Sequence, residues 1–396
     1  MSVPQDCYSK RIGTLQQMLR DAGVVAVLLS YSRSTLYYAG TTQPSLLIIT
    51  SEDYHLVVIR GLDSALEETW FDTNRVSLGS GFYSAKEILE KWSVEQGRVG
   101  MELDILPTLQ YAKVSELFPE FQIVDISDLV LQQRQIKDEN EIEYTKMACK
   151  SVHQGHLRLL KVLREGMSEL ELSAEIEDAH RRAGHEGLFF MRQFDFFMGR
   201  GPLASGINLS KIAGKIQSIT GVGLSPSVPM GASKRTIRRG DMIVVDIPTH
   251  HCGYHADQSR TYVLGRPPDI CRTMYSGMKE IADRLIQTLK PGIRCGALYK
   301  KAVTIAQELG MGHWFMCLGV PSKRVPFIGH GVGLELNEPP LLSNNNQQVL
   351  EEGMIIALEL EMSASIDEVV KLEDTILISS DGVEVLTISP RELQQI

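Results

Sequence analysis

Residues 240–265 read GDMIVVDIPTHHCGYHADQSRTYVLG. Two apolar arms flank a turn rich in histidine and glycine, the pattern of a β-hairpin. Each arm carries one aspartate, Asp246 and Asp257. If the turn is centred between His251 and Cys252, these two stand directly opposite each other on one face. Cross-strand partners lie ~4.5–5.5 Å apart at Cβ, and like charges there repel. Facing carboxylates become tolerable when they share a proton or clamp a cation.

Downstream, Gly329-His330-Gly331-Val332-Gly333 holds a histidine between glycines. This reads as a loop that permits close backbone approach and presents a nitrogen ligand. Two further stretches, 353–362 (GMIIALELEM) and 369–378 (VVKLEDTILI), read as paired strands. Glu359 ends an apolar run, so its carboxylate requires a partner. Glu361 shares its face, and Glu373 follows apolar residues apart from Lys371. Four carboxylates and one imidazole form an oxygen-rich set suited to Mn(II), Co(II), Fe(II) or Zn(II). Two such ions can activate a shared water near neutral pH.

Upstream, residues 163–184 (LREGMSELELSAEIEDAHRRAG) and 289–310 (LKPGIRCGALYKKAVTIAQELG) match in outline at an offset of 126 positions. Each begins with Leu and a basic residue, carries an internal leucine at one offset (Leu172, Leu298) and ends in Gly. Glycines bracketing a helical pattern, each followed by strand-rich sequence, predict two helix-plus-sheet units with a site between them. Before Gln135 the chain alternates differently. A helix over 8–22 precedes strands at 24–29, 46–50 and 55–59, then a helix near 84–94 and a strand at 98–102. This predicts a separate α/β domain over 1–130 and a second domain over 135–396, opened by a long helix running through Leu163.

The 396 residues carry a formal charge of −9, with 43% hydrophobic and 22% charged residues. That balance describes a globular chain without global attraction for nucleic acid or anionic lipid. The six cysteines form no CxxC pair, and the N-terminal MSVPQDCYSKRIG lacks the apolar stretch of a signal peptide. No apolar run approaches membrane-spanning length. The expectation is a cytoplasmic protein with reduced thiols and no nucleic-acid or membrane partner.

The ordered set Asp246, Asp257-Gln-Ser-Arg260-Thr, Gly-His330-Gly-Val-Gly, Glu-Gly-Met followed by Glu359, and Glu373-Asp-Thr resembles the M24 metallopeptidase family. The resemblance implies a creatinase-type α/β N-terminal domain and an α+β pita-bread catalytic domain with a pseudo-two-fold repeat. It further implies that Asp246 chelates one divalent ion, that His330 and Glu359 bind a second, and that Asp257 and Glu373 bridge both. Glu359 is the position associated with proton transfer. The implied activity is hydrolysis of C–N bonds in small or short-peptide substrates, as Xaa-Pro dipeptidase or aminopeptidase, in a homodimer.

The sequence also departs from the family. Two histidines that serve family peptidases without binding metal are replaced: Asn337 stands at one position, and Val228 at the other, about 18 residues before Asp246. Pro248 replaces a common glycine. Asn337 keeps a hydrogen-bond donor, and His255, two residues before Asp257, is a further catalytic candidate. Arg260, His251 and Arg192 are candidate substrate-binding residues, the last within the aromatic stretch 189–201. Losing donors at a developing oxyanion costs on the order of 3–4 kcal/mol in an enzyme that relied on them. A second reading therefore keeps the metals and changes the substrate to a small amide, a cyclic amidine such as ectoine, or a lyase substrate. A third, a non-catalytic pita-bread binding protein, is disfavoured because every ligand position is filled.

Overall fold

The computed structural model describes residues 4–196, 198, 200–214, 216–318 and 324–396. The chain divides into two compact units, Met1–Arg134 and Gln135–Ile396.

In the first unit, α1 (Gln5–Ala22) ends at Gly23, whose φ of +63° stops the helix with a left-handed turn. Then follow β1 (Ala26–Leu29), α2 (Ser32–Ala39), β2 (Ser45–Thr50), β3 (Tyr54–Val58), α3 (Leu62–Glu68), β4 (Val76–Leu78), α4 (Phe82–Lys91), β5 (Gly97–Met101), α5 (Thr108–Leu117), β6 (Phe121–Asp125) and α6 (Ser127–Gln135). The six strands form one mixed sheet in the order β4-β3-β2-β1-β5-β6. The helix and strand expected at 8–22 and 24–29 are present with ends shifted by up to three residues.

The second unit opens with α7 (Glu139–Val162). Asp138 accepts from the backbone N–H groups of Asn140 and Glu141 while Glu141 reaches back to the Asp138 N–H, a capping box that fixes where the helix starts. Ser168 and Glu171 repeat the device at α8 (Glu169–Arg182). A four-stranded sheet contains β7 (Leu203–Ser205), β8 (Met242–Val245), β11 (Arg260–Val263) and β17 (Gln394–Gln395), and the short hairpin β9 (Thr249–His251) and β10 (Tyr254–Ala256) extends β8 and β11. After α9 (Asp269–Ile286) and α10 (Cys295–Glu308) comes a five-stranded sheet of β12 (Phe327–Gly331), β13 (Glu338–Ser343), β14 (Ile355–Ser363), β15 (Val369–Ser379) and β16 (Gly382–Val385). Helices α8 and α10 each have 14 residues and start at 169 and 295, the offset of 126 seen in the sequence repeat.

Alternation along the strands decides which side chains face the site. On β14, Ile356, Leu358 and Leu360 enter the large core under α9 and α10, as do Leu372, Ile376 and Ile378 of β15. Successive strand residues point to opposite faces, so Glu359, Glu361, Lys371 and Glu373 all project from the other side. On β8, Ile243 and Val245 pack with α7 and α8, whereas Met242 and Val244 join the α9/α10 core.

The turn of the hairpin lies one residue further along than expected, which shifts every cross-strand partner by two. His251 pairs with Tyr254, His250 with His255, and Val245 with Arg260. The turn is therefore centred between Cys252 and Gly253, and Asp246 lies opposite Ser259 with Asp257 diagonal to it. Cys252 and Gly253 have φ of +48° and +84°, the backbone of a tight type I′ hairpin. The Glu186 carboxylate accepts from both of their N–H groups, at 2.9 and 3.1 Å, and holds that turn in place.

The glycine-flanked histidine is likewise in a strand, not a loop. His330 lies in β12, which pairs with both β13 and β14. A Cβ at Gly329 would sit 2.1 Å from the Ala357 carbonyl oxygen, and one at Gly331 2.3 Å from that of Pro339. Here glycine serves the close approach of neighbouring strands.

Candidate metal centre

Asp246, Asp257, His330, Glu359 and Glu373 are each at most 6% exposed. Glu359 and Glu373 are direct cross-strand partners on β14 and β15. Nitrogen or oxygen atoms of Asp257, His330 and Glu373 lie within 4.8 Å of one another. His330 Nε2 is 3.8 Å from Asp257 Oδ2 and 3.7 Å from Glu359 Oε1. Its Nδ1 stands 3.0 Å from the Gly331 carbonyl and donates to it, which turns Nε2 toward the carboxylates.

Asp246 joins through two residues outside the ligand set that the sequence suggests. Ser259 Oγ lies 2.6 Å from Asp246 Oδ1 and 2.7 Å from Glu373 Oε2. Lys371 Nζ lies 2.8 Å from Asp246 Oδ2, 3.0 Å from Glu359 Oε2 and 3.4 Å from Glu373 Oε2. The sequence did hold a signal for Lys371: it is the one basic residue in the apolar strand 369–378. Ser259 offers no such signal.

The electrostatics fit a divalent cation. Burial, then the nearby Asp246, pushes the Asp257 carboxyl well above its ordinary range, and burial with Asp257 does the same to Glu373. Burial alone would depress Lys371, but Asp246, Glu373, Glu359 and Glu361 together outweigh it and raise it. One ammonium thus faces more acids than it can balance. Carboxyls driven to hold protons for want of counter-charge are those that a hard cation would ionise. The donor set, four carboxylates and one imidazole nitrogen, fits such an ion.

The backbone under these ligands is pinned. Thr375 Oγ1 accepts from the Asp257 N–H at 2.9 Å and donates to the Asp257 carbonyl at 2.7 Å. Arg260 donates to the Glu373 carbonyl at 2.6 Å, to Asp374 at 2.6 Å, and to the Ser389 and Pro390 carbonyls at 2.9 Å each. Arg260 is 1% exposed with its guanidinium fully engaged, so it braces the β15 backbone and does not reach substrate. In the segment Glu373-Asp374-Thr375, the first residue faces the centre, the second anchors Arg260 and the third anchors Asp257.

The other candidates fall in different places. His255 is fully buried, with Nδ1 2.9 Å from the Gly333 carbonyl and Nε2 3.3 Å from the Phe190 N–H. Both nitrogens are committed, which makes it a strut for the segment after β12 and not a proton carrier. His251 shares a face with its partner Tyr254, whose ring stacks on Tyr144 of α7 and whose hydroxyl lies 2.8 Å from Glu141. That face is opposite to the one bearing His250 and His255. Asn337 is half-buried between β12 and β13, and Val228 is 49% exposed on the turn Ser225–Val228. Arg192 is half-buried in the aromatic stretch, of which Phe197 and Gly199 lie outside the described residues. Nearby Phe189, His185, Arg181 and Arg200 line a cavity of about 330 Å³.

A buried acid cluster with one inward imidazole, carried on the facing hairpins of a two-sheet unit, defines a metal-dependent hydrolase. The chain belongs to metallopeptidase family M24, whose model matches residues 143–380, and its first unit matches the creatinase/prolidase N-terminal domain over residues 11–136. It is 27% identical over 397 residues to a Xaa-Pro dipeptidase of Pyrococcus horikoshii, covering 98% of this chain and 99% of that one. A Xaa-Pro dipeptidase of Pyrococcus furiosus is 30% identical over 295 residues, covering 74% and 75%. Among solved structures, an X-Pro aminopeptidase of Thermotoga maritima superposes with a TM-score of 0.80 at 25% identity, covering 97% of this chain and 99% of that one.

Proposed function

We propose that the protein cleaves the bond before proline in dipeptides, as a Xaa-Pro dipeptidase, with two divalent ions of the Mn, Co, Fe or Zn type. The observation that carries this reading is the gathering of Asp257, His330 and Glu373 within one coordination sphere, in a chain alike over its whole length to Xaa-Pro dipeptidases. Asp246, Asp257 and Glu373 would hold one ion, and Asp257, His330, Glu359 and Glu373 would hold the other. Bound there, the ions supply Lewis acidity, which favours ionisation of water near neutral pH and polarises a carbonyl. Glu359 takes a proton from the attacking water and delivers it to the leaving amine. The Asn337 amide donates a hydrogen bond to the substrate, and Arg192 contributes to binding.

The absence of histidine at positions 228 and 337 favours a second reading, a family member acting on a small amide or cyclic amidine. Hydrolysis of Gly-Pro, Ala-Pro, a Xaa-Pro-Xaa tripeptide and ectoine by Mn(II)-loaded protein decides between them. Dipeptide turnover supports the first reading. Ectoine turnover without dipeptide cleavage supports the second and sinks the first.

Two further properties belong to the same reading. A homodimer follows by analogy with the family. No helix among the described residues is long and apolar enough to cross a membrane, and all six cysteines are free thiols, which supports a reducing, cytoplasmic location.

A further inference from the structure

Lys371 and Glu361 are direct cross-strand partners on β15 and β14. Their polar ends nevertheless stand 3.9 Å apart, because the ammonium leans toward Asp246 at 2.8 Å and Glu359 at 3.0 Å. Glu361 is left with one oxygen on Ser218 Oγ at 2.7 Å. Its other oxygen, Oε2, is buried without a hydrogen-bond partner among the described residues. Ser218 Oγ also lies 2.9 Å from the ammonium, so it belongs to both environments.

A buried acceptor without a partner is costly and calls for an explanation. The explanation here is a second seat for a cation that moves. We propose that Lys371 is a tethered counter-ion that competes with a metal for Asp246, making the two ions bind unequally, and that Glu361 with Ser218 receives the ammonium when Asp246 turns to metal. This rests on the two-ion reading above. The first ion goes to the Asp257, His330, Glu359 and Glu373 side, where the ammonium meets Glu373 at 3.4 Å and only the far oxygen of Glu359, Oε2, at 3.0 Å, leaving Oε1 turned to His330 at 3.7 Å. The second must take Asp246 from a group already 2.8 Å away, and it brings like charge beside the ammonium. Rotation toward Glu361 relieves both conflicts, and the flexible four-carbon stem of lysine permits it.

The test is Mn(II) binding to the EDTA-stripped full-length protein, by calorimetry with metal counted by mass spectrometry. Wild type should bind two ions, the second weaker by about tenfold or more. Lys371→Met should bring the two affinities together by about tenfold, whereas Lys371→Arg should keep them apart. Glu361→Gln removes the second seat, and should weaken the second ion by about tenfold while changing the first much less. If Lys371→Met does not fold, Glu361→Gln decides alone. Two bound ions whose affinity ratio is the same in wild type, Lys371→Met and Glu361→Gln would overturn the role of Lys371 and leave the two-ion reading standing. A single ion at saturation in all of them would overturn the two-ion reading, and the proposal with it.

Discussion

Glu359 stands directly opposite Glu373 across the β14–β15 pair, with Glu361 and Lys371 as the next same-face pair along the ladder. Two acids facing each other on a buried sheet are destabilising unless a cation lies between them. Replacing Glu373 with Gln should therefore abolish tight metal binding and lower peptidase activity by at least about a hundredfold. Metal content and Gly-Pro hydrolysis measured on the same preparation check this. Full metal content in the variant would remove Glu373 from the ligand set.

Metal removal should destabilise the fold as well as stop turnover. Ligand present at a hundred times its dissociation constant adds about 2.7 kcal/mol to the native state. The thermal midpoint should fall on chelation with EDTA and recover with Mn(II). A midpoint indifferent to chelation would mean that these carboxylates do not hold the ion.

Arg260 gives a contrasting case. Burial would raise the Asp374 carboxyl, but Arg260 and Arg391 outweigh it and hold it below its ordinary range. Arg260→Met leaves a buried carboxylate short of a partner and should cost about 3–5 kcal/mol in urea unfolding. At temperatures where the variant remains folded, KM should match wild type. A raised KM with unchanged stability would restore Arg260 as a substrate ligand.

Two buried histidines away from the metal centre lower stability in acid. Burial, with His185 adding to it, pushes His180 down to about 3; burial, with His250, pushes His185 down to about 4. Both are neutral in the folded state, whereas in the unfolded chain they take protons near pH 6.5. Their contribution is present above pH 6.5 and is lost as pH falls from there toward about 4 for His185 and about 3 for His180. In EDTA, which removes metal release from the measurement, these two histidines should pull the urea midpoint down across that window. His185→Gln keeps an acceptor for the His250 N–H and should flatten the decline. An identical slope in wild type and variant would exclude His185 as a source.

Much of the site was legible in the chain because metal chemistry restricts residue type. Acids ending apolar strands, such as Glu359, demand a counter-charge wherever they fold, so Asp246, Asp257, Glu359 and Glu373 stand out with His330 in the sequence alone. The repeat at an offset of 126 likewise marked α8 and α10, since helical spacing and bracketing glycines are local signals. What local pattern could not give was register. The hairpin turn sits at Cys252–Gly253 because Glu186, 66 residues away, accepts from the Cys252 N–H. That contact, invisible in the hairpin's own sequence, brought Ser259 to face Asp246.

Composition and spacing by themselves pointed to two units and to an acid-and-imidazole set, because periodicity and ligand chemistry are written in consecutive residues, while the family followed from the resemblance of the ordered motifs. Only the tertiary structure decided which charges meet. Arg260 and His255 sit beside ligands in the chain, yet their nitrogens are spent on carbonyls, Asp374 and a backbone N–H, while Lys371, the one basic residue of its strand, ends among four carboxylates. Strand alternation chooses the face, but the partners waiting there come from distant segments, and their arrival fixes what each side chain can do.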